Sequence, residues 1–345
     1  MRSVVYADVG KVRIEDVPDP RVAAETDAVI RVARAGICGS DMHFFHGKAP
    51  LYPGEAMGHE AVGVVEAVGG AVRTVRPGDR VVVSFTVACG ACWFCTHGET
   101  SLCETAAIFG TGLFGGELPG AQAERLRVPH ADVNLLAIPD GVDDERALFV
   151  GDVGATARYV AALAAPVPGE TIAVVGVGPV GLLVVQVLRG SGASVVALDR
   201  DPARLAAAAT WGAAAVHVDE RNPQMALSAV TGDRGADVAI DAVGAPAAFE
   251  TAVAVARRGG RVVVAGMYAG ETVDVQLGTY WMRGLDVRFA GVCPVHVHWR
   301  AAMADVEAGR LDPSALVSHV LPLDEAQRGY ELFDRREATK VLLTP

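Results

Sequence analysis

The sequence Thr171-Ile-Ala-Val-Val-Gly-Val-Gly-Pro-Val-Gly181 joins a short apolar run to a glycine-rich turn. Its first five residues are typical of a strand that is buried on both faces of a parallel sheet. The turn, which has the spacing G-x-G-x-x-G, consists of Gly176, Val177, Gly178, Pro179, Val180 and Gly181. Residues 182–188 are apolar at all but one position and predict a helix. A strand, a glycine turn and a helix in this order predict a dinucleotide-binding βαβ unit.

Each glycine of this turn has its own physical role. The first makes the tight turn, the second lets the pyrophosphate approach the backbone, and the third allows close packing of helix on strand. The next predicted strand, 194–198, ends at Asp199, whose carboxylate would accept hydrogen bonds from the adenosine ribose. Asp199 would repel a 2′-phosphate, which favours NAD over NADP, whereas Arg200 and Arg204 could accommodate that phosphate.

The alternation of helices and strands continues towards the C-terminus. Helices are predicted over 202–211, after Asn222-Pro223 and over 246–258, and strands over 215–218, 237–241 and 261–265. Repeated βα units imply a doubly wound parallel sheet with right-handed crossovers. After about residue 285 the rhythm fades, leaving a strand at 286–289, a helix at 299–308 and a last strand at 340–343.

The first part of the chain has a different pattern. Residues 1–35 alternate apolar and polar side chains, and 61–69 and 80–83 are further candidate strands, joined by a turn at 76–79. Because no βα units occur here, the sequence predicts a separate β-rich domain before the dinucleotide-binding one.

Two short motifs in the β-rich region carry candidate zinc ligands. Gly36-Ile-Cys-Gly-Ser-Asp-Met-His43 contains Cys38, and Gly58-His-Glu60 contains His59. Thiolate and imidazole are ligands that zinc prefers, and catalytic zinc takes three protein ligands with one open position. The alternative is a buried thiol beside an unrelated histidine. The surrounding groups, suited to orienting ligands and moving protons, are Ser40, Asp41, His43 and Glu60.

Asp152 is the candidate third ligand. It lies inside an otherwise apolar, helix-like run at 147–156. An aspartate in such a place is rarely buried unless it is paired or bound to a metal. The alternative is an ordinary helix N-cap.

Four cysteines form a second cluster, with the spacing C-x2-C-x2-C-x7-C. They are Cys89, Cys92, Cys95 and Cys103, in a lobe at 85–105. Such steps present several sulfurs to one tetrahedral ion, and four thiolates leave no position for substrate, so we expect a structural zinc. An iron–sulfur cluster is the main alternative, and disulfides are unlikely in a reducing compartment.

Composition narrows the functional classes. Half of the 345 residues are hydrophobic (51%), and the formal charge of −11 argues against a nucleic-acid partner. No apolar run approaches the roughly 20 residues that span a bilayer, and no secretory signal is evident, so we expect a cytoplasmic protein with no membrane partner. His296 and His298 are expected to be surface or core histidines, and Cys293 a free thiol.

Taken together, these motifs resemble those of the zinc-dependent medium-chain alcohol dehydrogenases over essentially the full length of the chain. Within that family the chain is similar to the branch of glutathione-dependent formaldehyde dehydrogenases. The motifs that carry the resemblance are residues 36–43, 58–60, 89–103 and 176–181.

The resemblance implies a role for each site residue. Cys38, His59 and Asp152 would bind catalytic zinc, although many members have Cys at the third position. Glu60 would be a transient or near ligand, and Asp41 would hydrogen-bond His59. The remaining implied roles are Ser40 and His43 as a proton relay, Thr156 beside the nicotinamide and Arg204 near the adenosine ribose.

The resemblance also implies the architecture and the activity. A GroES-like catalytic domain would cover 1–150, a Rossmann domain 151–290, and a C-terminal segment, 291–345, would return to the catalytic domain. The expected activity is hydride transfer between a zinc-bound alcohol or an aldehyde or ketone and NAD, with two zinc ions in each subunit of a homodimer or homotetramer. The alternatives are an NADPH-dependent carbonyl or iminium reductase and a catalytically silent dinucleotide-binding scaffold.

Overall fold

The computed structural model describes residues 1–111, 118–270 and 272–345. These residues form two compact units. Met1–Ala155 and Cys293–Pro345 form the first, here the discontinuous unit, and Thr156–Val292 forms the second, here the central unit. No single helix among the described residues is long and apolar enough to cross a bilayer. One pair of helical segments is long and apolar enough only when its two parts are taken together. The parts are Asp144–Gly151 and Val153–Ala164, and the chain bends by 48° where they join.

The strands are numbered along the chain: β1 (Arg2–Asp8), β2 (Lys11–Asp16), β3 (Ala28–Ile37), β4 (Glu60–Val68), β5 (Arg80–Val83), β6 (Thr86–Val87), β7 (Ala107–Ile108), β8 (Arg125–Val128), β9 (Leu135–Ala137), β10 (Thr171–Val175), β11 (Ser194–Asp199), β12 (Ala214–His217), β13 (Ala236–Asp241), β14 (Ala256–Val264), β15 (Asp286–Phe289), β16 (Val317–Pro322) and β17 (Lys340–Thr344).

The α-helices are α1 (Asp41–Phe45), α2 (Trp93–Thr96), α3 (Ala131–Asn134), α4 (Asp144–Leu148), α5 (Val153–Ala164), α6 (Pro179–Leu188), α7 (Pro202–Thr210), α8 (Pro223–Thr231), α9 (Pro246–Val255), α10 (Leu277–Arg283), α11 (Val295–Glu307) and α12 (Ala326–Asp334). Single 3₁₀ turns occur at Thr100–Leu102, Phe149–Gly151, Ser314–Leu316 and Leu323–Glu325.

The central unit contains a parallel sheet of six strands in the order β12-β11-β10-β13-β14-β15. Counted within the unit, this is the order 3-2-1-4-5-6 of the dinucleotide-binding fold. The order reverses between β10 and β13, and ligands of such sheets bind at the carboxyl ends of the strands beside that point. The predicted doubly wound sheet is therefore confirmed.

Helix starts in the central unit follow the local sequence. Proline occupies the first position of α6, α7, α8 and α9, where its missing N–H costs no hydrogen bond. Asn222 caps α8 by accepting from the Met225 N–H. The prediction of helix through residue 258 was wrong, because α9 ends at Val255 and Ala256 already pairs with Ala236 of β13.

The discontinuous unit is β-rich, as predicted. Its seven-stranded sheet has the order β16-β17-β3-β4-β5-β9, with β8 also paired to β3. The C-terminal strand β17 runs antiparallel to β3, so the end of the chain is part of this sheet. Strands β3 and β4 are also antiparallel, and Gly36 pairs with Glu60 near the end of β3. This pairing brings the two zinc-ligand motifs to the same end of the sheet.

Candidate active site and metal centres

Three chain segments meet at the end of β3. Cys38 follows directly after β3, His59 comes directly before β4, and Asp152 lies between the 3₁₀ turn Phe149–Gly151 and α5. One ligand atom from each of Cys38, His59, Glu60 and Asp152 lies within 4.8 Å of all the others. The structure thus brings together side chains that are up to 114 residues apart in the sequence.

The carboxylate of Asp152 faces the other two candidate ligands. Its Oδ2 lies 3.7 Å from Cys38 Sγ and 3.3 Å from His59 Nε2. His59 and Asp152 are buried, and Cys38 is half-buried. A thiol, an imidazole and a carboxylate converging at these distances have the donor set of a catalytic zinc site.

Asp41, the first residue of α1, holds the other side of this group. Its Oδ1 lies 3.1 Å from His59 Nδ1, and its Oδ2 accepts the Cys38 backbone N–H at 2.9 Å. A carboxylate on Nδ1 leaves Nε2 of His59 for a metal. Ser40 Oγ is 3.4 Å from that Nε2, and His43 is half-buried on α1.

The charged groups around His59 and Asp152 favour a bound cation. Burial lowers the pKa of His59, but the carboxylates of Asp41 and Asp152 outweigh it and raise that pKa well above its usual value. For Asp152 the opposite holds: burial raises the pKa, but the positive charges of His59 and Lys340 outweigh burial and lower it. The buried carboxylates therefore favour positive charge at His59, which a proton or a metal ion can supply.

Lys340, the first residue of β17, is a site residue that the sequence analysis did not find. Its Nζ donates to Oε2 of Glu60, and both side chains are buried, at 1% and 0% exposure. Glu60 Oε1 is buried without a hydrogen-bond partner among the described residues. Burial, opposed by Lys340, raises the pKa of Glu60 to about 7. The one signal in the sequence was a lysine directly before the apolar run of the last strand.

The four-cysteine cluster also comes together. The Sγ atoms of Cys89, Cys92, Cys95 and Cys103 all lie within 4.8 Å of one another. Backbone N–H groups point at the sulfurs, with Cys92 N–H donating to Cys89 Sγ and Cys89 N–H to Cys103 Sγ, both at 3.3 Å. Helix α2, inside the lobe, buries none of its residues. Because this helix contributes no buried side chain, a tetrahedral ion would help to hold the lobe together.

The thiols of this cluster do not ionise alike. Burial and the neighbouring thiols raise the pKa of Cys95 to about 12. Burial opposes ionisation of Cys103 as well, but the Cys89 N–H and Thr105 outweigh it and lower that pKa to about 6. A divalent cation would remove this conflict, because it favours the thiolate form of every ligand.

The three glycines of the turn differ in backbone conformation and in the space around them. Gly176 has φ +84°, in the left-handed region. A Cβ on Gly181 would overlap the carbonyl oxygen of Gly176, so the third glycine allows close packing. A Cβ on Gly178 would meet only Arg204 Nη1, at 3.7 Å. Among the described residues none requires the second glycine, which fits a ligand that approaches the backbone there.

Asp199 ends β11, next to the glycine turn. Its Oδ2 accepts the Val177 N–H at 2.7 Å. Arg200 lies 3.3 Å from Asp219, and Arg204 lies 3.6 Å from Asp201. The structure therefore places the predicted ribose-binding acid and both arginines at one end of the sheet. Thr156 is half-buried in α5 and is the first residue of the central unit.

His296 has a structural role. Its Nδ1 lies 3.0 Å from Thr100 Oγ1 and its Nε2 lies 2.8 Å from Asn134 Oδ1. Burial lowers the pKa of His296 to about 4. His296 and His298 are both half-buried, and Cys293 is a buried thiol outside both clusters.

Comparison with known families identifies both halves of the chain. Residues 24–140 match the alcohol dehydrogenase GroES-like domain, and residues 179–307 match the zinc-binding dehydrogenase domain. The probable zinc-binding alcohol dehydrogenase of Mycobacterium tuberculosis is 40% identical over 332 residues, which cover 96% of this chain and 84% of that protein.

Solved structures agree with this result. Alcohol dehydrogenase TADH from Thermus sp. ATN1 superposes with a TM-score of 0.94 at 43% identity, covering 100% of this chain and 99% of its own. A zinc-binding dehydrogenase from Sinorhizobium meliloti 1021, bound to NADP, has a TM-score of 0.86 at 29% identity, covering 100% and 99%. Neither the reductase nor the scaffold alternative is better supported by these relatives.

Proposed function

The chain belongs to the zinc-type medium-chain alcohol dehydrogenases, and from this premise we propose that Cys38, His59 and Asp152 hold its catalytic zinc. The enzyme is an alcohol dehydrogenase, which transfers hydride between an alcohol or carbonyl compound and a nicotinamide cofactor. The observation that carries the ligand assignment is the convergence of one thiol, one imidazole and one carboxylate. Beside them lies a buried oxygen of Glu60 that has no hydrogen-bond partner among the described residues.

The site residues divide the work of alcohol oxidation among them. Zinc, when bound, supplies a Lewis acid that lowers the pKa of the substrate hydroxyl. Asp41 fixes the tautomer and orientation of His59 through Nδ1. Ser40 takes the hydroxyl proton and His43 delivers it to solvent. Thr156 positions the nicotinamide ring, and bound NAD supplies the hydride acceptor.

Glu60 and Lys340 set the charge behind the site. A thiolate and a carboxylate would balance the charge of a zinc ion, and Lys340 balances Glu60. We propose that Glu60 is a near ligand that Lys340 holds by one oxygen, leaving Oε1 towards the metal centre. A neutral site with one open position suits binding of an uncharged alcohol.

We assign the second zinc to Cys89, Cys92, Cys95 and Cys103, giving two ions per chain. Four sulfur ligands in a lobe whose helix α2 buries no residue fit a structural ion. Thiols gathered in this way bind a cation only while they stay reduced, which supports placing the enzyme in the cytoplasm.

We propose that the central unit, bounded at Thr156–Val292, binds the dinucleotide and that the discontinuous unit is catalytic. Asp199 supports NAD as the cofactor over NADP. Exposed apolar side chains on α10 and the edge strand β15 support a homodimer or homotetramer formed through the central unit, and they are Leu277, Trp281, Met282 and Phe289.

Substrate screening tests the proposal. Alcohols, polyols and thiol–formaldehyde adducts should be supplied with NAD⁺ or NADP⁺, and reduced cofactor followed by absorbance. The adducts test the similarity to the formaldehyde dehydrogenase branch. We expect Cys38→Ser and His59→Ala to lose activity and one zinc ion per chain. Cys293→Ser, a buried thiol outside both clusters, is the control. Full activity in Cys38→Ser protein that lacks this zinc would overturn the ligand assignment.

A further inference from the structure

Five charged side chains gather at the carboxyl ends of β11 and β12, where the proposed function places the adenosine ribose. They are Asp199, Arg200, Asp201, Arg204 and Asp219. Together, these three carboxylates and two guanidinium groups carry a net charge of −1. A 2′-phosphate would add further negative charge here, so the state of the two arginines decides how well it is accepted.

Asp199 cannot change its position easily. Its Oδ2 accepts the Val177 N–H, and its Oδ1 accepts the N–H groups of Arg200 and Asp201, at 2.7 and 3.0 Å. Three backbone hydrogen bonds fix the carboxylate between the glycine turn and the start of α7. The Asp199 carboxylate therefore stays in place and repels a 2′-phosphate whatever the arginines do.

The two arginines differ in what they face. Arg204 Nη1 lies 3.7 Å from the place of a Cβ on Gly178, so this guanidinium faces the glycine turn. Its Nε is buried and makes no hydrogen bond among the described residues, although Asp201 lies 3.6 Å away. Arg200 follows Asp199 directly, and its side chain is 69% exposed. Arg200 is thus the cation that can turn towards a phosphate on the ribose.

Asp219 holds Arg200 in place. His217, the last residue of β12, is level with Asp199, and Asp219 follows it by two residues. Asp219 Oδ1 lies 3.3 Å from Arg200 Nε, joining the ends of the neighbouring strands β11 and β12. A guanidinium that pairs with a carboxylate is neutralised as a phosphate partner, and the carboxylate also repels the phosphate directly.

We propose that Asp219 is a specificity-determining residue that favours NAD over NADP by pairing with Arg200. This inference rests on the proposed cofactor site. The substitution Asp219→Asn removes one negative charge that repels the phosphate. It also releases Arg200, which can then pair with the phosphate. Since exposed ion pairs contribute up to about 1 kcal/mol, we expect the Kd for NADP⁺ to fall about five-fold, with the Kd for NAD⁺ within about two-fold of wild type.

Binding titrations of NAD⁺ and NADP⁺ to the full-length, zinc-loaded chain test this inference without measuring turnover. Glu220→Gln is the matched control, because it removes one negative charge from the neighbouring position. Arg200→Ala and the double variant Arg200→Ala/Asp219→Asn test whether the effect passes through Arg200. The gain in NADP⁺ affinity should shrink as ionic strength rises.

The inference predicts a changed Kd ratio in Asp219→Asn, little change in Glu220→Gln, and a smaller gain when Asp219→Asn is made in the Arg200→Ala background. An unchanged ratio in Asp219→Asn, or an equal gain in Glu220→Gln, would overturn it while leaving the proposed function intact. A wild-type chain that binds neither dinucleotide would overturn the proposed function and this inference together.

Discussion

Replacement of Lys340 by methionine tests the buried charge pair behind the proposed zinc site. Methionine keeps most of the side-chain volume but leaves the Glu60 carboxylate buried without a cation. Loss of one partner of a buried pair costs about 3–5 kcal/mol, because the remaining charge is uncompensated. We therefore expect Lys340→Met to lower the free energy of unfolding by about that amount at pH 8.

The loss should depend on pH with a defined sign. Burial already raises the pKa of Glu60 to about 7, and Lys340 opposes that rise, so its removal raises this pKa further. When the pKa of a carboxyl is higher in the folded state than in the unfolded state, the free energy of unfolding falls as pH rises from the unfolded-state pKa to the folded-state pKa. The deficit of Lys340→Met should thus be smaller at pH 5.5 than at pH 8.

Urea unfolding of zinc-loaded protein at both pH values measures the effect. Glu60→Gln/Lys340→Met removes the orphaned charge and should recover most of the loss at pH 8. Lys11→Met, an exposed lysine, should stay within about 0.5 kcal/mol of wild type. A deficit below about 1 kcal/mol at pH 8, or a double variant as unstable as the single one at both pH values, would refute this reasoning.

Three further predictions concern other parts of the molecule. Cys103→Ser should lower the zinc content from two to one per chain and lower the melting temperature, as measured by elemental analysis and calorimetry. Gly181→Ala should destabilise the fold because its Cβ overlaps the Gly176 carbonyl, whereas Gly178→Ala should melt normally but bind NAD⁺ more weakly in titrations; normal melting of both would contradict the packing role. Burial lowers the pKa of His296 to about 4, so the folded protein disfavours its protonation. The free energy of unfolding should therefore be unaffected above pH 6.5 and fall towards pH 4, by up to about 3 kcal/mol. His296→Gln should flatten this acid dependence in urea unfolding, and an unchanged slope would contradict it.

Local patterns predicted much of this molecule. The glycine turn, its strand and its helix are continuous in sequence, so their spacing alone specified the βαβ unit. The first three cysteines of the cluster lie within seven residues, which made their convergence predictable. The sequence could not decide between ligand and helix cap for Asp152. Only the packing of the 3₁₀ turn Phe149–Gly151 against β4 and β5 brings its carboxylate to Cys38 and His59.

Contacts between distant residues were out of reach of such patterns. Lys340 and Glu60 are 280 residues apart, and only the pairing of β17 with β3, and of β3 with β4, places them together. His296 reaches Asn134 across 162 residues for a similar reason. The end of α9 was misplaced because the pairing of Ala256 with Ala236 overrides a helical pattern in the local sequence.

Anomalous diffraction at the zinc edge, from crystals of the zinc-loaded protein, tests the central claim most directly. Our account predicts two peaks per chain, one among Cys89, Cys92, Cys95 and Cys103 and the other within bonding distance of Cys38 Sγ, His59 Nε2 and the Asp152 carboxylate. A single peak at the four-cysteine cluster, with Asp152 turned away from Cys38 and His59, would contradict it.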